Sequence, residues 1–330
     1  MMQSSLTLLL SGVERHLRID DAWPAMPAFQ TLLSKGQREI LPSDFSSCLF
    51  DLFHLPVDAA YDRPVASLSA LGDGLDASSG WWLCVNPVHM VADRDQLYLS
   101  ASDALGLSQS EADELVAELN RFYADDGWRF FAATPHRWYL HLPQPLAMRT
   151  TPTAAAMGRR VGEVLPQGDD ALVWQRTMTE IQMLLHASPI NMRRTEKGVL
   201  AVNSLWFWGG GELPAAEGEP GWSHVVANDP LALGLAQLTG VSSSAEAASL
   251  STLDSLVAEG ARVLWQWTVE SLDVAEQQLF VPLLERLHSG ELTELVIELP
   301  GQARWRIERK ALRRWWRRRK PLASLLQGMH

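Results

Sequence analysis

The 330 residues leave room for two domains or for one large domain with an insertion, and a content of 47% hydrophobic and 20% charged residues excludes a disordered or fibrous chain. Eight of the cations lie between Arg309 and Lys320 with no acid among them, so the formal charge of −11 leaves −19 on the other residues. Such a body repels nucleic acid and anionic membrane and confines any attraction for them to one tail. Two cysteines, Cys48 and Cys84, exclude a disulfide framework and a thiolate metal site, and with no apolar run of eighteen residues and no signal-peptide pattern they point to a reducing, cytoplasmic setting.

In chain order, Leu6 to Leu10 is an apolar run closed by Ser11-Gly12, the pattern of a buried first strand in a parallel sheet. Met26 to Gly36 has helical spacing, and Pro42-Ser43-Asp44 supplies an N-cap for a helix from Phe45 to Phe53. Val65 to Gly72 predicts a short helix and Trp81 to Val85 a strand that runs into Asn86-Pro87-Val88-His89-Met90. An Asp93-Arg94-Asp95 turn then leads to the strand Gln96 to Ser100. Ser108-Gln109-Ser110-Glu111 is a capping box: the serine oxygen accepts one orphan amide and the glutamate reaches back to another, opening a helix over Gln109 to Ala124. Strands follow at Trp128 to Ala132 and Arg137 to Leu142. A second long helix over Gly168 to His186 places Leu172, Met178, Ile181 and Leu185 at apolar positions and ends at Ser188-Pro189.

Ala201 to Gly211 joins a tryptophan-rich run to three glycines. If extended, it puts Trp206 and Trp208 on one face with Ser204, and Asn203, Leu205 and Phe207 on the other. The glycines then form either a flexible loop or a close approach to a ligand, although no Lys-Ser/Thr pair follows them as a P-loop requires. After a Gly, Glu and Pro-rich connector to Gly221, strands at Ser223 to Ala227 and Arg262 to Thr268 alternate with helices at Pro230 to Gly240, Thr252 to Glu259 and Val274 to His288. Strands at Leu292 to Leu299 and Ala303 to Glu308 flank Pro300-Gly301. That alternation predicts a sheet covered on both faces.

Asn203-x-x-Trp206-x-Trp208-Gly209 after Asn191-Met192-Arg193-Arg194 resembles the archaeal-type cofactor-independent phosphoglycerate mutases of the alkaline phosphatase superfamily. Asn86-Pro87-Val88 before an Asp-rich turn and a Ser/Glu-opened helix extends the likeness. With Asn203 to Gly211 and Asn228-Asp229-Pro230-Leu231-Ala232-Leu233 the chain looks closer still to mutase-like bacterial proteins of the RpfE regulatory type. The resemblance implies an α/β fold: a degenerate alkaline-phosphatase-like three-layer core from residues 1–60 and 212–330, with an inserted α+β domain over 61–211. It also implies that a mutase would carry an Asp-Gly after its first strand, a serine nucleophile, and Asp and His ligands for two divalent metals that activate the nucleophile and neutralise the transferring phosphoryl group.

Here Ser11-Gly12 stands where Asp-Gly is expected, and Ser43 is a vestigial nucleophile candidate with no activating group. Only Asp273 persists in the stretch Trp265 to Gln277, and Glu298-Leu299-Pro300 stands where an Asp-His pair would close a strand. No catalytic residue, metal ligand or cofactor is therefore assigned. The expected function is a non-catalytic, mutase-like regulatory or ligand-binding protein. The alternatives are a working mutase or related phosphotransferase holding Mn or Mg, and an adaptor acting through the tail.

The resemblance points to Arg193, Arg194, Asn203, Trp206, Trp208 and the amides of Gly209, Gly210 and Gly211 as an anion pocket for a small phosphorylated or carboxylated ligand, since the arginine fork matches such oxygens. His89, His136 and the Asp93/Asp95 pair are more simply structural. In the tail, Arg313, Arg314, Trp315, Trp316 and Arg317 either grip a nucleic acid or membrane surface, or form a terminal helix that buries Leu312, Trp315 and Trp316 on the acidic body.

Overall fold

The computed structural model describes residues 4–13, 25–56, 61–93, 96–100, 102–216, 221–245, 261–314 and 316–326. Among them are twelve strands: β1 (Ser5–Ser11), β2 (Gln37–Ile40), β3 (Trp81–Asp93), β4 (Gln96–Ser100), β5 (Arg129–Thr134), β6 (Arg137–Leu142), β7 (Ser204–Gly211), β8 (His224–Val226), β9 (Ser242–Ser244), β10 (Arg262–Thr268), β11 (Glu294–Leu299) and β12 (Ala303–Glu308). The longer helices are α1 (Pro27–Lys35), α2 (Phe45–Leu52), α3 (Val65–Gly72), α4 (Gln109–Phe122), α5 (Ala171–His186), α6 (Pro189–Glu196), α7 (Pro230–Leu238) and α8 (Val281–Ser289). The chain divides into a first unit, Met1–Leu55 with Ala216–His330, and a second, Pro56–Ala215. The expected helix over Thr252 to Glu259 lies outside the described residues.

The first unit holds a seven-stranded sheet in the order β2-β12-β11-β1-β10-β8-β9. β1 runs parallel to both β10 and β11, with Leu9 in register with Gln266 and Glu298. Its unbroken apolar run suits a strand covered on both faces. Leu6, Leu8 and Leu10 point to one face, where they pack with Trp265, Ile297 and Trp305 beneath Phe29 and Leu32 of α1 and Leu283 of α8. Phe29 stacks on Phe280 with ring centroids 4.2 Å apart. The other face carries Thr7, Val296 and Glu298, which share a cleft with Asp51 and Leu52 of α2, so the sheet is the middle of three layers.

The expected continuous helix from Val274 to His288 is interrupted. A turn over Leu272–Ala275 passes into a π turn, Glu276–Phe280, before α8. Pro282, second in α8, has no N–H for the regular ladder, and the wide turn accommodates it. The same turn carries Glu276 inward, where it is 2% exposed and accepts hydrogen bonds from the backbone N–H groups of Ala28 (2.6 Å) and Phe29 (3.2 Å). Helix α1 begins at Met26 without a side-chain cap of its own, so a glutamate 248 residues away closes its amino end. Strands β2 and β9 carry no apolar alternation and were not expected. Each is a short polar edge, β2 antiparallel on β12 and β9 parallel on β8.

The second unit has a five-stranded sheet, β4-β3-β6-β5 with β7 on the other side of β3. β3 pairs with β6 through Val85 and with β4 from His89, and Pro87, which has no N–H, stands between the two ladders. Helix α4 opens with the expected capping box, Ser108 accepting from the Glu111 amide while Glu111 accepts from that of Ser108. Helix α5 buries Trp174, Met178, Ile181 and Leu185. Leu172, expected on that face, lies about 200° from Trp174 around the helix and is 61% exposed.

The three glycines are not a flexible loop but the end of β7. A methyl on Gly210 would meet Leu83 at 2.9 Å, and one on Gly211 would meet Pro64 at 2.5 Å. Gly209 has φ +66° and faces Val65. Close approach of α3 and β3 to this backbone therefore requires glycine. Among the described residues the tail is helical over Arg309–Leu312 and Leu322–Leu325, in place of the single terminal helix that was one expectation.

Candidate functional site

In the second unit the polar side chains of the expected anion pocket, and the Gly209 amide, have partners within the fold. Arg194 is 2% exposed. It donates to the carbonyls of Leu105 and Leu200 and meets Glu111 at 2.9 Å. Arg193, its neighbour on α6, is half exposed and pairs with Glu114 at 2.7 Å, so the two guanidinium groups go to different partners. Asn203 clasps the Met90 backbone, accepting from its N–H (2.7 Å) and donating to its carbonyl (2.9 Å). Trp206 donates to the Thr151 carbonyl, Trp208 to Asn86 Oδ1, and Gly209 N–H to Thr150 Oγ1.

Buried Asn191, quoted in the motif but given no role, holds Val202 by both its N–H and its carbonyl. This stretch thus anchors β7 to β3 and to residues 150–151. His89 Nδ1 lies 2.8 Å from the Ala201 carbonyl, and His136 keeps a buried Nδ1 with no hydrogen-bond partner among the described residues. Arg94 and Asp95 lie outside the described residues.

In the first unit, the crevice outside the carboxyl ends of parallel strands is where an α/β sheet ordinarily binds its ligand. A cleft of about 400 Å³ opens there, lined by Asn228 after β8, by Trp267 and Thr268 at the end of β10, by Glu270 and Ser271 after it, and by Val274, Ala275 and Gln278. Ser11 and Thr268, at the ends of β1 and β10, share a hydroxyl–hydroxyl hydrogen bond of 3.1 Å. Gln266 donates to Thr268 Oγ1 at 3.0 Å and accepts from the Asn228 amide at 3.3 Å. The edge that would present acids to metal ions is therefore a network of neutral hydroxyls and amides bonded to one another.

Ser43 donates to Asp51 over a long 3.4 Å, while Asp44 caps α2 through the Ser47 amide. Asp273 sits in the turn capped by Ser271. Glu298, fully buried on the opposite face from Ile297, accepts from Arg304 Nε at 2.6 Å, and its Oε2 has no partner among the described residues. Burial raises its carboxyl pKa against the opposing pull of Arg304. It lines a second cleft of about 380 Å³ with Thr7, Asp51, His54 and Arg262. Of Ser11, Ser43, Asp273 and Glu298, only Glu298 lines either cleft.

Among the described residues no three His, Cys, Asp or Glu stand together as a metal-binding group. A pair of divalent metals does not fit a β1–β10 edge of interlocked hydroxyls and amides. Asn228, Thr268, Glu270 and Ser271 went unassigned in the sequence. The signal for them was their place at or just beyond the ends of the predicted strands Ser223 to Ala227 and Arg262 to Thr268.

These two units define a mixed α/β protein with an alkaline-phosphatase-like fold of the phosphoglycerate mutase kind. Residues 63–191 match the family model described as 2,3-bisphosphoglycerate-independent phosphoglycerate mutase, a stretch that falls wholly within the second unit. The mutase of Methanosarcina mazei is 27% identical over 110 residues, covering 33% of this chain and 28% of that one. A probable mutase of Geobacter sulfurreducens is 28% identical over 131 residues, covering 39% and 33%. The aligned part thus spans about a third of these relatives' length. The cofactor-independent phosphoglycerate mutase of Thermoplasma acidophilum superposes with TM-score 0.51 at 17% identity, over 100% of this chain and 96% of that one. The PH0037 protein of Pyrococcus horikoshii superposes with TM-score 0.55 at 16% identity, over 93% and 88%.

Proposed function

We propose that the chain is a non-catalytic, mutase-like ligand-binding protein serving a regulatory role of the RpfE type, with its ligand seat in the cleft at the carboxyl ends of β8 and β10. The observation that carries this reading is the Ser11–Thr268–Gln266–Asn228 network, which replaces ligand acids with neutral donors and acceptors already satisfied by one another. Amide and hydroxyl groups and one carboxylate, Glu270, beside the apolar Trp267, Val274 and Ala275 suit a small ligand that places hydrogen-bonding groups against one wall and an apolar part against the other. Phosphoryl transfer needs charge neutralisation that such a lining does not supply. In the second unit, Arg193 is the member of the expected anion-binding set whose guanidinium reaches solvent.

A coupled mutase assay with 3-phosphoglycerate and excess Mn²⁺ tests the proposal. No turnover above buffer is expected. Turnover that disappears in Ser43→Ala would overturn the reading and restore an active mutase.

A further inference from the structure

The segment after β12 forms a cleft of about 710 Å³ with α1 and the edge strand β2. Its charged lining is of one sign: Arg38, Arg317, Arg318 and Lys320, with no acid. The segment is fixed to the unit by contacts that leave this charge in place. Arg317 donates to the carbonyls of Lys35 and Gly36 (3.2 and 3.1 Å), the Lys320 amide to Ser34 Oγ (3.0 Å), and Lys35 Nζ to the Arg314 carbonyl (2.5 Å). Each acceptor is neutral. Among the described residues none of the four lining cations is in an ion pair, and the segment's pair, Lys310 with Glu308, lies outside the cleft. Docking on acids of the body, which the charge of −19 on the other residues made the simpler expectation, therefore reaches the segment at Lys310 and, among the described residues, at none of the four lining cations.

Four like charges held together repel one another, and a polyanion relieves that repulsion. Two aromatic rings share the lining: Trp305 lies beneath the Arg38 guanidinium at 5.7 Å, and Trp316 is 64% exposed. Cations along a concave groove with an exposed tryptophan match a single-stranded nucleic acid, whose phosphates track the charge while an unpaired base stacks. A duplex keeps its bases out of reach of the ring, and a membrane is engaged by a protruding apolar face rather than a concave groove lined by cations. We propose that the Arg38–Arg317–Arg318–Lys320 cleft binds single-stranded nucleic acid, with Trp316 as its stacking platform. The inference uses no residue of the carboxyl-end cleft.

The test is fluorescence anisotropy of a labelled oligothymidylate with the full chain over a series of KCl concentrations. The same-length duplex, phosphatidylserine vesicles and polyglutamate serve as competitors. Four neutralised phosphates at about 0.7 each predict a slope of log K against log salt near −3. Arg318→Ala with Lys320→Ala, both at exposed positions, should reduce the slope to roughly half that. Trp316→Ala should weaken binding by roughly five- to a hundredfold with the slope unchanged. Circular dichroism of each variant should match that of the wild type. Absence of binding, equal competition by duplex, vesicles or polyglutamate, or an unchanged slope in the double variant would each overturn the proposal.

Discussion

Replacing Glu276 probes the longest-range contact that shapes the first unit. In Glu276→Ala the buried N–H groups of Ala28 and Phe29 lose their acceptors, and α1 loses the negative charge at its amino end. A hydrogen bond to a charged group contributes about 1.5–3 kcal/mol, and a partly buried charge at a helix terminus up to about 2 kcal/mol. These overlap, because the same carboxylate supplies both, so the expected loss is about 3–5 kcal/mol. Glu276→Gln keeps the shape and one acceptor but turns an NH₂ toward the second amide, and should lose about 1.5–3 kcal/mol. The assay is urea unfolding at neutral pH followed by tryptophan fluorescence, with Glu285→Ala, an exposed site on α8, as a control expected within about 0.5 kcal/mol of wild type. A Glu276→Ala variant as stable as that control would refute the role assigned to this carboxylate.

Gly211→Ala should destabilise the second unit by at least about 1–3 kcal/mol in the same assay, because its methyl would meet Pro64 Cα at 2.9 Å and Cβ at 2.5 Å and backbone would have to move. Glu298 titrates above the ordinary glutamate value of 4.5, so its contribution to stability is complete below that pH and is lost as pH rises through its raised folded value. The stability of wild type minus that of Glu298→Gln should therefore fall as pH rises above 4.5, and a flat or rising difference would contradict burial as the dominant effect. Burial, reinforced by the Glu298 and Asp51 carboxylates, pushes the Cys48 thiol up to about 12. At pH 8 its thiolate fraction is on the order of 10⁻⁴, and native protein should leave Cys48 unlabelled by a thiol-reactive disulfide on the time scale that labels it in urea.

Features that depend on neighbours in sequence were legible. The Leu6 to Leu10 run announced a strand covered on both faces, and the Ser108/Glu111 box placed the start of α4 because both partners lie within one turn. Features that depend on distant partners were not. Glu276 as a cap and Glu298 held by Arg304 need the folded register, and β2, four exposed residues, exists only because β12 offers an edge. The glycines after Trp208 show why composition alone misleads. A loop and a strand packed against Pro64 and Leu83 both require them, and only the neighbours distinguish the two. The motif that carried the family resemblance proved to be a set of internal anchors, Asn203 to Met90 and Trp208 to Asn86. The carboxyl-end cleft was readable only as a rule about parallel sheets, with residue types too common to single out.

The measurement that bears most directly on the proposed absence of a metal centre is calorimetric titration of Mn²⁺ into the full chain. Neutral groups at the ends of β1 and β10, with Glu270 as the one acid in the cleft, predict no saturable site in the micromolar range. Stoichiometric micromolar binding that is lost in Glu270→Gln or Asp273→Asn would show that a metal site persists there.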